Sequence, residues 1–102
     1  MIHVIATIKC QNGQREAFLN EFRKLVPEVL AEDGCLEYGA GVDVATEIKA
    51  QDPDRPDVVT VVEKWESVEH LKRHLVAPHM EAYRPKVNDL VISTTLIVLN
   101  PA

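Results

Sequence analysis

The sequence predicts an α+β fold in which four strands and two helices follow the order β-α-β-β-α-β. Four short segments are predicted as strands, and the first, third and fourth are rich in β-branched residues. The longer segments after the first and third strands repeat apolar residues at helical spacing. With both helices on one face of an antiparallel sheet, this order is the split β-α-β arrangement of a ferredoxin-like sandwich. A chain of 102 residues has room for one core, which predicts a single domain over residues 1–102.

The first strand and the first helix carry the clearest patterns. Ile2 to Lys9 predicts a strand that ends at the turn signal Gln11-Asn12-Gly13. From about Gln14 to Glu32, apolar residues recur every three or four positions, which predicts an amphipathic helix. Pro27 predicts a kink or a break inside this helix, and Asp33-Gly34 predicts its end.

The second strand is predicted from Cys35 to Val44, where two glycines indicate a bulge or the close approach of another backbone. Ala45 to Asp57 is charged and contains two prolines, which predicts a long exposed loop. Val58 to Trp65 predicts the third strand.

The last third of the chain predicts a helix and a final strand. Ser67 is the expected N-cap of a helix from Val68 to Val76. Pro78 is expected to end or bend this helix, with a further turn or two from His79 to Asn88. Val91 to Leu99 predicts the last strand.

Two strands carry apolar residues on both faces. The third strand contains Val58-Val59-Thr60-Val61-Val62, and the last contains Leu96-Ile97-Val98-Leu99. Such strands need cover on both sides, and two helices on one face supply only half of it. A second copy packing sheet against sheet would supply the rest, so the pattern predicts a homodimer.

Composition excludes several partner classes. The formal charge is −5 and the pI is about 5.3, so the chain lacks the basic face that nucleic acid or an anionic membrane requires. No apolar run approaches the roughly 18 residues that span a bilayer. Met1 leads directly into the first strand without an export signal. Cys10 and Cys35 have neither disulfide-framework nor CxxC spacing, which predicts reduced thiols in a cytoplasmic protein.

No familiar cofactor signature is present. Gly39-Ala40-Gly41 lacks the third glycine and the following helix of a dinucleotide turn, and there is neither a phosphate-binding loop nor a GxSxG elbow. His70 and His74 have the spacing of a zinc pair on a helix, but no third ligand stands at a matching position. We therefore expect no cofactor and no metal.

The histidines of the predicted second helix and the bend after it are the main chemical candidates. His74 shares the sheet-facing side of the helix with Leu71 and Leu75. It is either a core-edge histidine bonded to a carbonyl, or a proton acceptor held neutral because burial disfavours the imidazolium. His79 follows Pro78, where it could cap a helix or contact a substrate.

Trp65 ends the third strand on the face that also carries Glu63 and Val61. It is either a core residue or a donor whose indole N–H points to a cavity. Tyr38, Tyr83 and Arg84 could add polar groups to the same cavity. The candidate substrate contacts are Tyr38, Val61, Glu63, Leu71, Tyr83 and Arg84.

Three segments resemble the antibiotic biosynthesis monooxygenase family, and the resemblance extends from Ile2 to Leu99. The segments are Asp33-Gly34-Cys35-Leu36-Glu37-Tyr38, Val62-Glu63-Lys64-Trp65-Glu66-Ser67, and Leu71 through His74 to Pro78-His79-Met80. The resemblance implies a dimeric α/β barrel made from two ferredoxin-like subunits, each with a pocket between sheet and helices. It places Trp65, His74 and His79 near that pocket.

The resemblance also implies a reaction: oxidation of a small quinol, phenol or enol-type substrate by molecular oxygen, without metal or flavin. The substrate would be hydrophobic or aromatic. Under this hypothesis His74 is the base, and the Trp65 N–H and His79 donate to the substrate oxygen. Two alternatives stay open: an isomerase acting next to a carbonyl, and a non-catalytic dimer that binds a small ligand.

Overall fold

The computed structural model describes all of residues 1–102 and confirms the predicted α+β fold, with one additional helix. The four strands form one antiparallel sheet in the order β2-β3-β1-β4, as a ferredoxin-like sandwich requires. The strands are β1 (Ile2–Cys10), β2 (Cys35–Gly41), β3 (Val58–Trp65) and β4 (Val91–Leu99). The helices are α1 (Arg15–Leu30), α2 (Val68–Leu75) and α3 (Pro78–Val87), and a 3-10 turn at Asn88–Leu90 leads into β4.

The second strand is shorter than predicted, because it leaves the sheet after Gly41 and not after Val44. Two residues beyond its end, the Asp43 carboxylate accepts hydrogen bonds from the backbone N–H and the guanidinium of Arg55. This ion pair also lowers the pKa of Asp43 through its hydrogen bonds. The pairing of the two residues thus closes the segment 43–55 into a loop.

The two prolines differ in their effects on the helices. Helix α1 continues through Pro27, where a break was one of the two expectations. Buried Leu25 and Val29 flank Pro27, so packing against the sheet offsets the one backbone hydrogen bond that a proline removes. Pro78 begins a ten-residue helix, longer than the predicted turn or two. A proline suits the first helical position, because its fixed φ is already helical and its missing N–H has no partner there.

The inner face of the sheet forms the core with α1. Alternate residues of β1 and β3 point to this face, and the apolar stripe of α1 packs on them. Ser67 caps α2 as predicted, since its side chain accepts a hydrogen bond from the backbone N–H of His70. The main buried residues are Val4, Ala6, Ile8, Phe18, Phe22, Leu25, Val29, Val59, Val61 and Trp65.

The outer face of the sheet has no helix on it. Val62, Ile97 and Leu99 are 45%, 57% and 43% exposed, and register places Val62 and Ile97 on either side of Ile5. These apolar side chains therefore form a continuous uncovered surface, which we call the outer apolar face. It is the surface that the two-sided apolar pattern of the strands predicted.

The turn between α1 and β2 depends on Gly34, which has a φ of +81°. A Cβ atom at this position would overlap the ring of His70 on α2, so the turn packs directly under that helix. Both cysteines are free. None of the helices combines the length and the apolar character needed to cross a bilayer.

Candidate active site

A cavity of about 340 Å³ lies between the inner face of the sheet, α1 and α3. Most of its lining is hydrophobic, and six of the candidate residues belong to it. Those six are Tyr38, Val61, Glu63, His74, Tyr83 and Arg84, and the apolar walls include Phe18, Phe22, Met80, Val87 and Leu96. Trp65, Leu71 and His79 do not line this cavity.

Aromatic rings form one wall of the cavity. Phe22 stacks on Tyr38 with the ring centroids 5.3 Å apart, and Tyr38 meets His74 edge-on at 5.5 Å. Burial raises the pKa of the Tyr38 and Tyr83 hydroxyls well above the ordinary value, so both stay protonated at neutral pH. Each hydroxyl can therefore donate a hydrogen bond to a ligand in the cavity.

His74 is almost completely buried, with 2% of its surface exposed. Its Nδ1 lies 2.7 Å from Oε2 of Glu32. Because a carboxylate only accepts hydrogen bonds, Nδ1 carries a proton, and the neutral form of such a ring has its lone pair on Nε2. The other ring nitrogen, Nε2, makes no hydrogen bond within the protein. Every fully buried side-chain nitrogen or oxygen does have a partner, so Nε2 is not fully buried. Because His74 lines the cavity, we infer that Nε2 is accessible from it. A histidine held in this way can accept a proton from a group in the cavity.

His79 binds the same carboxylate oxygen from the first turn of α3. Its Nε2 lies 2.7 Å from Oε2 of Glu32, so this ring also donates. The ring faces a separate groove between α1 and α3, which contains Glu28 and Lys86, and does not line the cavity. Glu32 thus links α2 and α3 through one oxygen atom.

Trp65 is fully buried behind His74, with the ring centroids 4.7 Å apart. Its indole N–H donates to Oε1 of Glu63 at 2.9 Å and therefore does not point into the cavity. Burial raises the pKa of Glu63, although the hydrogen bond from Trp65 and the proximity of His74 both oppose this shift. Leu71 packs in the same apolar cluster as Trp65.

Arg84 is the only lysine or arginine on the cavity wall. Its guanidinium donates to the backbone carbonyl of Leu75, the last residue of α2. Its position fits a donor to a negatively charged oxygen at the mouth of the cavity.

Glu32 is the site residue that the sequence analysis missed. It lies between the end of α1 and Gly34. Its partners His74 and His79 are 42 and 47 residues away, and no sequence motif connects residues at those separations. Its Oε2, Nδ1 of His74 and Nε2 of His79 all lie within 4.8 Å of one another, a grouping that could hold a metal ion. His70 is not part of this grouping, because its Nδ1 lies 2.6 Å from Oγ of Ser67.

Comparison with known proteins supports one family. The sequence profile described as antibiotic biosynthesis monooxygenase matches residues 1–86. The chain is 42% identical over 103 residues to the probable quinol monooxygenase YgiN of Escherichia coli strain K12, covering 99% of this chain and 98% of that protein.

Solved structures share the fold over nearly the whole chain. PA3566 from Pseudomonas aeruginosa superposes with a TM-score of 0.80 at 26% identity, covering 99% of this chain and 93% of that one. A conserved protein from Methanosarcina mazei Go1 superposes with a TM-score of 0.83 at 22% identity, covering 99% and 92%. The second similarity extends the fold to a more distant sequence.

Proposed function

The chain belongs to the antibiotic biosynthesis monooxygenase family, and on this premise we propose that it oxidises a small quinol, phenol or enol with molecular oxygen. The substrate is the only reductant in this proposal, which needs neither metal nor flavin. The name of the Escherichia coli relative supports a quinol as the substrate class. A cavity of about 340 Å³ supports a small molecule, since ligand pockets run from about 300 to 1,000 Å³.

The observation that carries the proposal is the pair formed by Glu32 and His74. Glu32 fixes the proton on Nδ1 and leaves the lone pair of Nε2 to the cavity. In the reaction Nε2 takes the proton of a substrate hydroxyl, and Glu32 stabilises the imidazolium that forms. The resulting electron-rich anion reacts with oxygen at a ring carbon. A C–O bond forms and gives a hydroperoxide on that carbon. The carbon then loses its hydrogen as a proton while the O–O bond breaks, so one oxygen atom stays as a carbonyl and the other leaves as water. The substrate supplies all the electrons: a quinol and O₂ give a hydroxyquinone and water.

Deprotonation of the substrate needs help from hydrogen-bond donors. A phenol with a pKa near 10 and a histidine near 6.5 differ by about 3.5 units, so the transfer is about 4.8 kcal/mol uphill. One or two donors placed at the developing oxyanion can supply several kcal/mol. We assign this role to the hydroxyls of Tyr38 and Tyr83 and to Arg84, because all three line the cavity.

Trp65 and His79 enter the proposal as positioning residues, which differs from the donor roles expected from the sequence. The indole ring of Trp65 supports the His74 ring, and its N–H holds Glu63. His79 donates to the same oxygen of Glu32 that His74 contacts. Both residues would thus act through the base and not on the substrate.

The test compares His74→Ala with His70→Ala, which removes a histidine one turn away on the same helix and outside the cavity. One- and two-ring quinols are the substrates, and oxygen uptake and quinone absorbance are measured against the uncatalysed background. We expect kcat/KM to fall by about 10²- to 10⁴-fold in His74→Ala only, the usual contribution of a general base. Undiminished activity would remove His74 from the role. Proton exchange or isomerisation next to the carbonyl of a ketone substrate, without oxygen uptake, would support the isomerase alternative.

The outer apolar face supports a homodimer as part of the proposal. Ile97, Val62 and Leu99 leave a continuous apolar surface in a single copy, and a second sheet of the same kind would cover it. We expect sedimentation to give a dimer, and Ile97→Glu to shift it to a monomer. A wild-type chain that sediments as a monomer at micromolar concentration would contradict this. The two free cysteines fit a reducing compartment and support a cytoplasmic location.

A further inference from the structure

The grouping of Glu32, His74 and His79 has the composition of a metal site. We infer that these three side chains bind a single divalent transition-metal ion, with Zn²⁺ as the best match. We further infer that the ion blocks the reaction proposed above. The second inference rests on the proposed function of His74, whereas the first does not.

The donor atoms match the preference of zinc for imidazole nitrogen and carboxylate oxygen. They come from three separate elements: the turn after α1, helix α2 and the start of helix α3. Two imidazoles and one carboxylate are a common protein ligand set, and a fourth position stays open for water. The three atoms already lie within 4.8 Å of one another.

The geometry requires only a small adjustment. Both ring nitrogens lie 2.7 Å from Oε2 of Glu32. Around a tetrahedral ion with bonds of about 2.1 Å, ligand atoms stand about 3.4 Å apart, so each nitrogen must move away from the oxygen by about 0.7 Å. The side chains of Glu32 and His79 are 13% and 21% exposed, which leaves them room to make this adjustment.

The charge on Glu32 also favours a cation. No lysine or arginine pairs with this partly buried carboxylate, whose only partners are the two histidines. The side chain of Glu63 is a second carboxyl group in the same region. After the larger effect of burial, Glu32 and Glu63 both raise the pKa of Cys35, so both lie near its thiol. The groove that contains His79 and Glu28 gives an ion a path from solvent that does not cross the substrate cavity.

Metal binding would change which nitrogen of His74 carries the proton. An ion on Nδ1 takes the place of the proton that now bonds to Glu32, and a neutral imidazole then keeps its one remaining proton on Nε2. The nitrogen that faces the cavity becomes a donor and cannot accept a proton from the substrate. The bound ion therefore inhibits, even though it lies outside the cavity.

The binding test uses tag-free protein and two probes, Zn²⁺ in calorimetry and Co²⁺ in visible spectroscopy. We expect one ion per chain, with the absorption of four- or five-coordinate Co²⁺. His79→Ala and Glu32→Gln should weaken binding at least tenfold. His70→Ala is the matched control, because His70 has its own carboxylate neighbours, Asp33 and Glu66, at 3.5 and 3.7 Å. No saturable binding, or a greater loss in His70→Ala than in His79→Ala, would overturn the site.

The inhibition test follows oxygen uptake during a Zn²⁺ titration and after addition of a chelator. We expect activity to fall in parallel with ion occupancy and to return with the chelator. In His79→Ala, half-inhibition should need at least tenfold more Zn²⁺ relative to that variant's own uninhibited rate. Full occupancy with unchanged oxygen uptake would overturn the inhibitory role while leaving the site in place. If no quinol is turned over, the binding test still decides the site, so the two proposals fail separately.

Discussion

Replacing Glu32 with glutamine removes one charge while an amide oxygen can take the place of Oε2. Both histidine bonds can then persist as neutral hydrogen bonds. Bonds to a charged group contribute about 1.5–3 kcal/mol and neutral ones about 0.5–1.5 kcal/mol, so the two bonds together lose roughly 2–3 kcal/mol. For a chain of this size, 1 kcal/mol lowers Tm by roughly 4–8 °C, so we expect a decrease of roughly 8–24 °C. The partial exposure of Glu32 and His79 favours the lower half of that range.

The same substitution should slow the proposed reaction. The imidazolium that forms at His74 faces an amide where the wild type has a carboxylate 2.7 Å away. A loss of about 1.4–2.7 kcal/mol from this one interaction corresponds to a tenfold to hundredfold decrease in kcat/KM. Oxygen uptake with quinols and thermal unfolding monitored by circular dichroism measure the two effects.

Asp33→Asn is the matched control for Glu32→Gln. Asp33 is the next residue, its side chain is 83% exposed, and its ion pairs with His70 and Arg73 are long, at 3.5 and 3.6 Å. Such exposed pairs contribute little, so the control should keep its Tm and its activity. A Glu32→Gln variant that melts within about 2 °C of the wild type and keeps its full kcat/KM would refute the assignment of Glu32.

Three further predictions concern glycine conformation, a buried carboxyl and a thiol. Gly13 and Gly34 both have positive φ, but only a Cβ atom at Gly34 would overlap the His70 ring. In urea unfolding, Gly13→Ala should therefore lower the free energy of unfolding by about 1–2 kcal/mol, and Gly34→Ala should lower it more. Equal losses would contradict this. Burial raises the pKa of Glu63 above the usual value near 4.5, because the folded state disfavours the charged carboxylate. The free energy of unfolding therefore falls as the pH rises above that value. Glu63→Gln should therefore raise Tm at pH 7 and leave it unchanged at pH 3.5, and a larger gain at pH 3.5 would contradict the sign. Burial also raises the pKa of the Cys35 thiol to about 11, so roughly one thiol in a thousand is ionised at pH 8. Because only the thiolate reacts, iodoacetamide should alkylate Cys35 slowly. Alkylation as fast as that of free cysteine would contradict this.

Local patterns in the sequence were enough to predict the order of the elements. Alternating and helical repeats lie within single strands and helices, and the Ser67 cap spans only three residues. The end of β2 was not predicted in the same way: the chain beyond Gly41 makes contacts within the following loop, such as that between Asp43 and Arg55 twelve residues apart, and no local pattern indicates such a contact. Pro78 has two opposite meanings in a sequence, the end of one helix or the first residue of another, and only packing decides between them.

The candidate site shows the same division. The cavity position of His74 followed from its helix face, and the contact between Trp65 and Glu63 could have been predicted, since residues two apart on a strand share a face. The role of Glu32 could not, because its partners lie 42 and 47 residues away. A contact of that length is defined only when the turn after α1 and both later helices have packed together.

Helix α3 forms part of the cavity wall, and its first turn is also bonded to the carboxylate that contacts His74. Any outward swing of this helix large enough to admit a substrate would stretch the tie between His79 and Glu32. The bond between His74 and Glu32 does not involve this helix and would stay in place during such a movement. Return of the helix would restore the second bond to Glu32 and exclude bulk water, which otherwise competes for an electron-rich anion.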